Sequence, residues 1–263
     1  MVGGQDVFSV DGQRIVVVGG TAGIGLGVAA HLVDAGATVV ITGRRDAADI
    51  AAAAGASFVR MDVADRESVA AAFAQIGDQL GAVDCLILNA GIDEWHGEAD
   101  DIDLDVFERV VDVNTLGVVR ALAAGISLVP EGGSVVVTSS PAGSITTPGM
   151  AAYSASKAAL DMLVRTWALE LGPKRIRVNA VLPGIVESEM DGADTTQVEV
   201  IRRMTANGVY RQAREMGPVY QFLASPASVT LTGSLVGAHD GISVGFSAEV
   251  MEHLAAGVGD EES

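Results

Sequence analysis

Residues 14–36 read RIVVVGGTAGIGLGVAAHLVDAG. Arg14 to Val18 is a short β-branched run that suits a buried strand. Gly19-Gly20-Thr21-Ala22-Gly23-Ile24-Gly25 follows, and LGVAAHLVDAG then reads as helix. Strand, glycine loop and helix, in that order, form the turn on which a dinucleotide pyrophosphate rests. Glycines let the chain turn tightly and let phosphate approach the backbone. The helix N-terminus adds unpaired N–H groups and a partial positive charge. Gly19, Thr21, Ala22, Gly23, Ile24 and Gly25 are therefore candidate phosphate-side residues. The plainer reading of the same stretch is a glycine-rich turn with no ligand.

From this turn the chain alternates between short apolar runs and helical stretches. Thr38 to Thr42 reads as a second strand and ends in Gly43-Arg44-Arg45. An acidic residue at this place suits a ribose 2′-hydroxyl, whereas arginine suits a 2′-phosphate. No carboxylate stands here, so Arg44, with Arg45 beside it, favours NADP(H) over NAD(H). Read plainly, both arginines are solvated loop charges. A third strand, SFVRM, runs into Asp62 and Val63, where a carboxylate can meet an adenine amino group. Helix is expected over Arg66 to Leu80, then a strand VDCLIL and a small-residue turn, Asn89-Ala90-Gly91, that lets the backbone approach a cofactor. A long helix is expected over residues 103–124, apolar on more than one side and so covered on both. Asn114 in its middle is either a satisfied core amide or part of a hydrogen-bonding relay. Trp95 and His96 are placed at a substrate entrance, with packing as the ordinary role for a lone histidine.

A second informative stretch is SPAGSITTPGMAAYSASK, residues 140–157. Tyr153 and Lys157 are four apart among helix-favouring alanines, so both side chains share one helix face. A phenol with an ordinary pKa of ~10 exchanges protons poorly near neutrality. A neighbouring ammonium favours the phenolate and makes Tyr153 a usable general acid or base. Ser140 follows the apolar run Val135-Val136-Val137, at a strand's C-terminal edge, where its hydroxyl can hydrogen-bond a substrate oxygen. Further on, IRVNAV ends at Pro183-Gly184-Ile185-Val186-Glu187-Ser188. Residues 187–216 show no clear strand and read as a mobile flap. The stretch TGSLVGA reads as a last strand, and residues 246–263 as a polar tail.

The 263 residues carry a formal charge of −18, which argues against nucleic acid and anionic membrane surfaces. Only two lysines occur, Lys157 and Lys174, so one of them beside Tyr153 is informative. The single cysteine, Cys85, excludes an intramolecular disulfide and reads as a buried thiol. No signal peptide is read at the start and no run long and clean enough to span a bilayer, so the expected location is the cytoplasm. Without repeats or linkers, residues 1–263 are expected to form one domain. The expected architecture is α/β, a Rossmann-like doubly wound, mainly parallel seven-stranded sheet with helices on both faces, a three-layer sandwich. The functional candidates all follow strand ends, where ligands bind in such sheets.

The whole pattern resembles the short-chain dehydrogenase/reductase family. The resemblance rests on VGGTAGIG (18–25), LNAG (88–91), Asn114, Ser140, Tyr153-Ser154-Ala155-Ser156-Lys157 and Pro183-Gly184. It implies a catalytic tetrad of Asn114, Ser140, Tyr153 and Lys157. Tyr153 would exchange the proton with the substrate oxygen, Lys157 would lower its pKa and bond the nicotinamide ribose, Ser140 would polarise the carbonyl, and Asn114 would hold a water relay. Ser188 would contact the carboxamide, near Pro183, Gly184 and Val186. A homotetramer or dimer through residues 103–124 and 151–171 is implied as well. The implied activity is hydride transfer between NADP(H) and a secondary alcohol or ketone. An NAD-dependent alcohol or diol dehydrogenase and a non-catalytic nucleotide sensor are the alternatives. The chain departs from the family pattern at Val18, at GVYRQARE (208–215) and at HDGIS (239–243).

Overall fold

A computed structural model describes residues 6–187 and 195–251. The expectations for Ser188 and for most of the tail lie outside the described residues. The elements are β1 (Arg14–Val18), α1 (Gly23–Asp34), β2 (Thr38–Gly43), α2 (Ala48–Ala53), β3 (Ser57–Arg60), α3 (Arg66–Leu80), β4 (Cys85–Leu88), α4 (Leu104–Val111), α5 (Gly117–Gly125), β5 (Ser134–Thr138), α6 (Ala151–Leu171), β6 (Arg177–Pro183), β7 (Val186–Glu187), α7 (Thr195–Met204), β8 (Arg211–Gln212), α8 (Gly217–Ala224) and β9 (Leu235–Ala238). Seven strands form one parallel sheet in the order β3-β2-β1-β4-β5-β6-β9.

Side chains alternate across each strand and so divide the core in two. Ile15 and Val17 of β1 face one side, with Val28 and Leu32 of α1 and Tyr220 and Leu223 of α8. Val16 and Val18 face the other, with Phe73 and Ile76 of α3, Val118 and Leu122 of α5, and Leu160 and Val164 of α6. The result is the expected three layers. Helix α3 has the expected bounds because both ends are marked in the sequence: Asp65 accepts the Glu67 N–H, and Gly81 ends the helix at φ 71°.

The expected long helix is two helices joined by one wide π turn, Asp112–Leu116. Asn114 stands inside that turn and is fully buried. Arg120 ties the region down, donating to Asp112 Oδ1 at 2.6 Å and to the Val63 carbonyl at 3.2 Å. The run Leu104–Leu128 is long and apolar enough by composition to cross a membrane, against the sequence reading. Here its buried residues pack into the core against the sheet.

The flap also differs from expectation. It carries a helix, α7, and one two-residue strand, β8, that pairs parallel with β7 through Val186↔Arg211 and Glu187↔Gln212. Strands this short leave no periodicity to read. Arg211 grips Asp240 with two bonds, Nη2 to Oδ1 at 2.9 Å and Nε to Oδ2 at 3.1 Å. This pair joins the two stretches that depart from the family pattern, and it holds the Asp240 carboxyl below its ordinary range.

Candidate active site

Strand order reverses beside β1: β2 lies on one flank and β4 on the other. A cleft of about 920 Å³ opens there, at the C-terminal strand ends. Gly19, Thr21, Ala22, Gly23 and Ile24 form its floor. Gly19 has φ 79°, and a Cβ on it would lie 2.6 Å from Ala90 Cα. A Cβ on Gly25 would overlap the Gly19 carbonyl and stand 2.5 Å from Asn89 Nδ2. Helix α1 starts with no side-chain cap and no acidic residue in its first turn, so its free N–H groups remain for an anion. These features fit a dinucleotide.

Arg44, Arg45, Asp62 and Val63 line one end of the cleft. Both arginines are exposed, and neither forms an ion pair among the described residues. Thr21 packs against Gly43 at the end of β2. Ala90 and Gly91 line the middle, and Pro183, Gly184 and Val186 the far wall.

Asn89 lines the cleft, and its side chain also clamps the loops behind it. Nδ2 donates to the Gly19 carbonyl at 2.8 Å, and Oδ1 accepts from Thr138 at 3.0 Å. The Thr138 hydroxyl also bonds the Tyr220 hydroxyl at 2.7 Å, and the Thr138 carbonyl accepts from Lys157 Nζ at 3.0 Å. One chain of hydrogen bonds therefore links the glycine loop to the helix that carries Tyr153.

Ser140, Tyr153 and Lys157 meet on the substrate side of the cleft. The Ser140 hydroxyl stands beside the phenol and favours its ionised form. Lys157 Nζ lies 5.4 Å from the centroid of the Tyr153 ring. The expected lowering of the phenol does not appear. Burial holds Tyr153 above its ordinary pKa; Ser140 pulls it down and the Asp93 carboxylate pushes it up. Burial also brings Lys157 down to about 8, against the opposing pull of Asp161 and Asp93. Asn114 satisfies its amide locally, accepting the Ile92 N–H at 2.7 Å and donating to the Ile92 carbonyl at 2.9 Å and Ser156 Oγ at 3.2 Å. It thereby fixes the chain just after Gly91, where a Cβ would stand 3.3 Å from Asn114 Oδ1 and 3.6 Å from Lys157 Nζ.

The entrance differs from expectation. Asp93 and Glu94 line the cleft, whereas Trp95 lies exposed over Gly149 and His96 is buried. Ile145, Thr146, Thr147 and Met150 form the opposite lip. No periodicity marks them, but their place between Ser140 and Tyr153 was available as a signal. Asp161, one turn beyond Lys157, is a further buried group missed in the sequence. It accepts from Ser139 Oγ at 2.5 Å.

Sheet, glycine loop and the Ser–Tyr–Lys wall together define a dinucleotide-dependent α/β oxidoreductase. A family profile described as enoyl-(acyl carrier protein) reductase matches residues 18–243. Short-chain dehydrogenase reductase 5 of Arabidopsis thaliana is 35% identical over 248 residues, 89% of this chain and 96% of that protein. The cyclic-di-GMP-binding biofilm dispersal mediator protein of Escherichia coli is 32% identical over 228 residues, 85% of this chain and 94% of the other. The solved structure of a short-chain type dehydrogenase/reductase from Mycobacterium marinum superposes with a TM-score of 0.83 at 30% identity, covering 91% of this chain and 99% of that one. The chain belongs to the short-chain dehydrogenase/reductase family, whose members use a nicotinamide cofactor, NAD(H) or NADP(H).

Proposed function

We propose that this chain is an NADP(H)-dependent oxidoreductase that interconverts a secondary alcohol and its ketone, with Tyr153 as general acid and base. The observation that carries this reading is the convergence of Ser140, Tyr153 and Lys157 on one cleft wall. When bound, the nicotinamide supplies or accepts the hydride. The protein's own part is positional and electrostatic. Ser140 Oγ stands beside the phenol and presents its hydroxyl to a substrate oxygen. Tyr153 gives that oxygen its proton in reduction and takes it back in oxidation. Asn114 holds the chain just after Gly91, and Lys157, tied to the Thr138 carbonyl, keeps a positive charge beside the phenol. The raised phenol is protonated at neutral pH and so ready for reduction. Oxidation needs the phenolate, and its rate is expected to climb with alkaline pH.

The substrate end of the cleft carries Asp93 close enough to act on both Tyr153 and Lys157. This carboxylate disfavours anionic groups next to the carbonyl. A panel of neutral ketones, hydroxysteroids, cyclic diols and keto acids, followed by nicotinamide absorbance, tests the reading. Turnover is expected among the neutral members, with the keto acids slower. Tight cofactor binding with no turnover anywhere would favour a nucleotide-sensing protein, a reading that gains support from the name of the E. coli relative.

Arg44 supports NADP(H) over NAD(H) because a free guanidinium can grip a 2′-phosphate in bidentate fashion. Arg44→Asp is expected to raise the KM for NADPH about 30-fold while changing that for NADH little. Equal effects on both would return the arginines to the status of solvated charges. For assembly we infer contact through the helical runs 104–125 and 151–171, supported by the exposed Leu116, Met162 and Leu169. Light scattering at micromolar concentration checks this.

A further inference from the structure

We propose that His96 is a positioning residue for Tyr153, acting as a detached cap on the first turn of α6. The first N–H groups of a helix have no partner within the helix. Ser, Thr, Asp and Asn are the adjacent side chains best suited to supply one. Helix α6 has Met150 at that place, and Met150 makes no side-chain cap. Its second residue, Ala152, instead donates its N–H to His96 Nε2 at 2.9 Å, across 56 positions of sequence. The next residue along is Tyr153.

His96 is 2% exposed and Ala152 is fully buried. Water therefore has no ready access to the Ala152 N–H if the imidazole is removed. The residue is held in place at its backbone and at its ring. Its own carbonyl accepts the Asp103 N–H at 2.8 Å, and the Phe107 ring meets it edge-on with centroids 5.5 Å apart. Arg109 grips Glu94 through Nε at 2.9 Å and fixes the same loop to α4. The histidine thus couples the loop that carries Asp93 to the helix that carries Tyr153, and the Asp93 carboxylate already acts on the phenol.

The geometry also fixes the state of the ring. An Nε2 that accepts a backbone N–H cannot bear a proton, so the imidazole is neutral and protonated on Nδ1. Nδ1 is buried and has no hydrogen-bond partner among the described residues. A histidine placed only to fill space needs no particular tautomer. This one spends its single acceptor on the helix that presents the phenol.

Three measurements on the full chain test the inference. The 15N spectrum of the wild-type protein should show His96 in the Nδ1–H form; an Nε2–H form would overturn the proposal. His96→Leu removes the acceptor, and amide exchange over residues 152–154 should quicken about fivefold or more, with the rest of α6 unchanged. His96→Gln restores an acceptor at similar reach and should return protection to near wild type. If Leu and Gln behave alike, or if exchange rises across the whole helix, His96 is only a packing residue. Should the leucine variant fail to fold, the glutamine variant and the wild-type tautomer still decide the matter. The kinetic part rests on the function proposed above. His96→Leu should lower kcat about tenfold with cofactor affinity unchanged, and Gln should recover most of it. Wild-type protein with no turnover would count against that function alone, because tautomer and exchange are read without substrate.

Discussion

Tyr153→Phe is expected to lower turnover by about a thousandfold while leaving cofactor affinity within a few-fold of wild type. The substitution removes one oxygen. The ring, its packing and the ammonium beside its face all remain. Cofactor binding draws on the glycine floor and the free start of α1, which the substitution does not touch. What is lost is the phenol that stands beside Ser140 in the cleft, and with it the proton that the developing alkoxide needs. Without it that charge must be met by Ser140 and the more distant ammonium. The loss should therefore fall on kcat and on kcat/KM alike, the mark of an interaction made in the transition state. Full activity in the phenylalanine variant would end the general-acid reading. A matching loss of cofactor affinity would show instead that the phenol serves binding.

The sheet was readable in the chain because its strands are continuous apolar runs, as strands covered on both faces must be. RIVVV, TVVIT and SVVVT could hardly be anything else, and Asp65 and Gly81 mark α3 at both ends. The glycine floor was readable because backbone conformation and close approach restrict the choice to glycine at Gly19 and Gly25. What the sequence left unreadable shares a cause. Whether a residue of given type does chemistry or structure depends on which neighbours the fold brings to it. Asn89 reads as part of a cofactor turn, and its side chain also turns back to clamp Gly19 to Thr138. Asn114 reads as either a satisfied core amide or part of a relay, and its amide is taken up by Ile92 and Ser156. His96 reads as an entrance residue and lies buried under the start of α6. The flap's paired strand has two residues a side, too few to leave a period.

Lys157→Met should separate stability from function in one variant. Lys157 is 4% exposed, and burial draws it from 10.5 down to about 8. In the unfolded chain the same ammonium regains its ordinary value. Between about pH 8 and 10.5 the unfolded chain therefore holds a proton that the folded chain has released, and stability rises with pH across that window. Below about pH 8 both states hold the proton, and the folded state bears the full cost of the buried charge, on the order of 3 kcal/mol. Methionine fills a similar volume without charge. It relieves that cost but strands the Thr138 carbonyl, a penalty of about 1–3 kcal/mol, and deprives Asp161 of a nearby positive charge. At pH 7 these effects nearly cancel, so the variant should fold with stability close to wild type. Its signature is the difference in slope: in denaturant unfolding without cofactor, wild-type stability should climb relative to the methionine variant from pH 8 to 10, while Cys85 and Tyr220, both pushed up by burial, lower the stability of the two proteins alike above about pH 9. Turnover should fall about a hundredfold or more, because the phenol loses its cationic neighbour. A wild-type protein with no such climb would mean that the ammonium is better solvated than its burial implies. An active methionine variant would remove Lys157 from the proton-transfer machinery altogether.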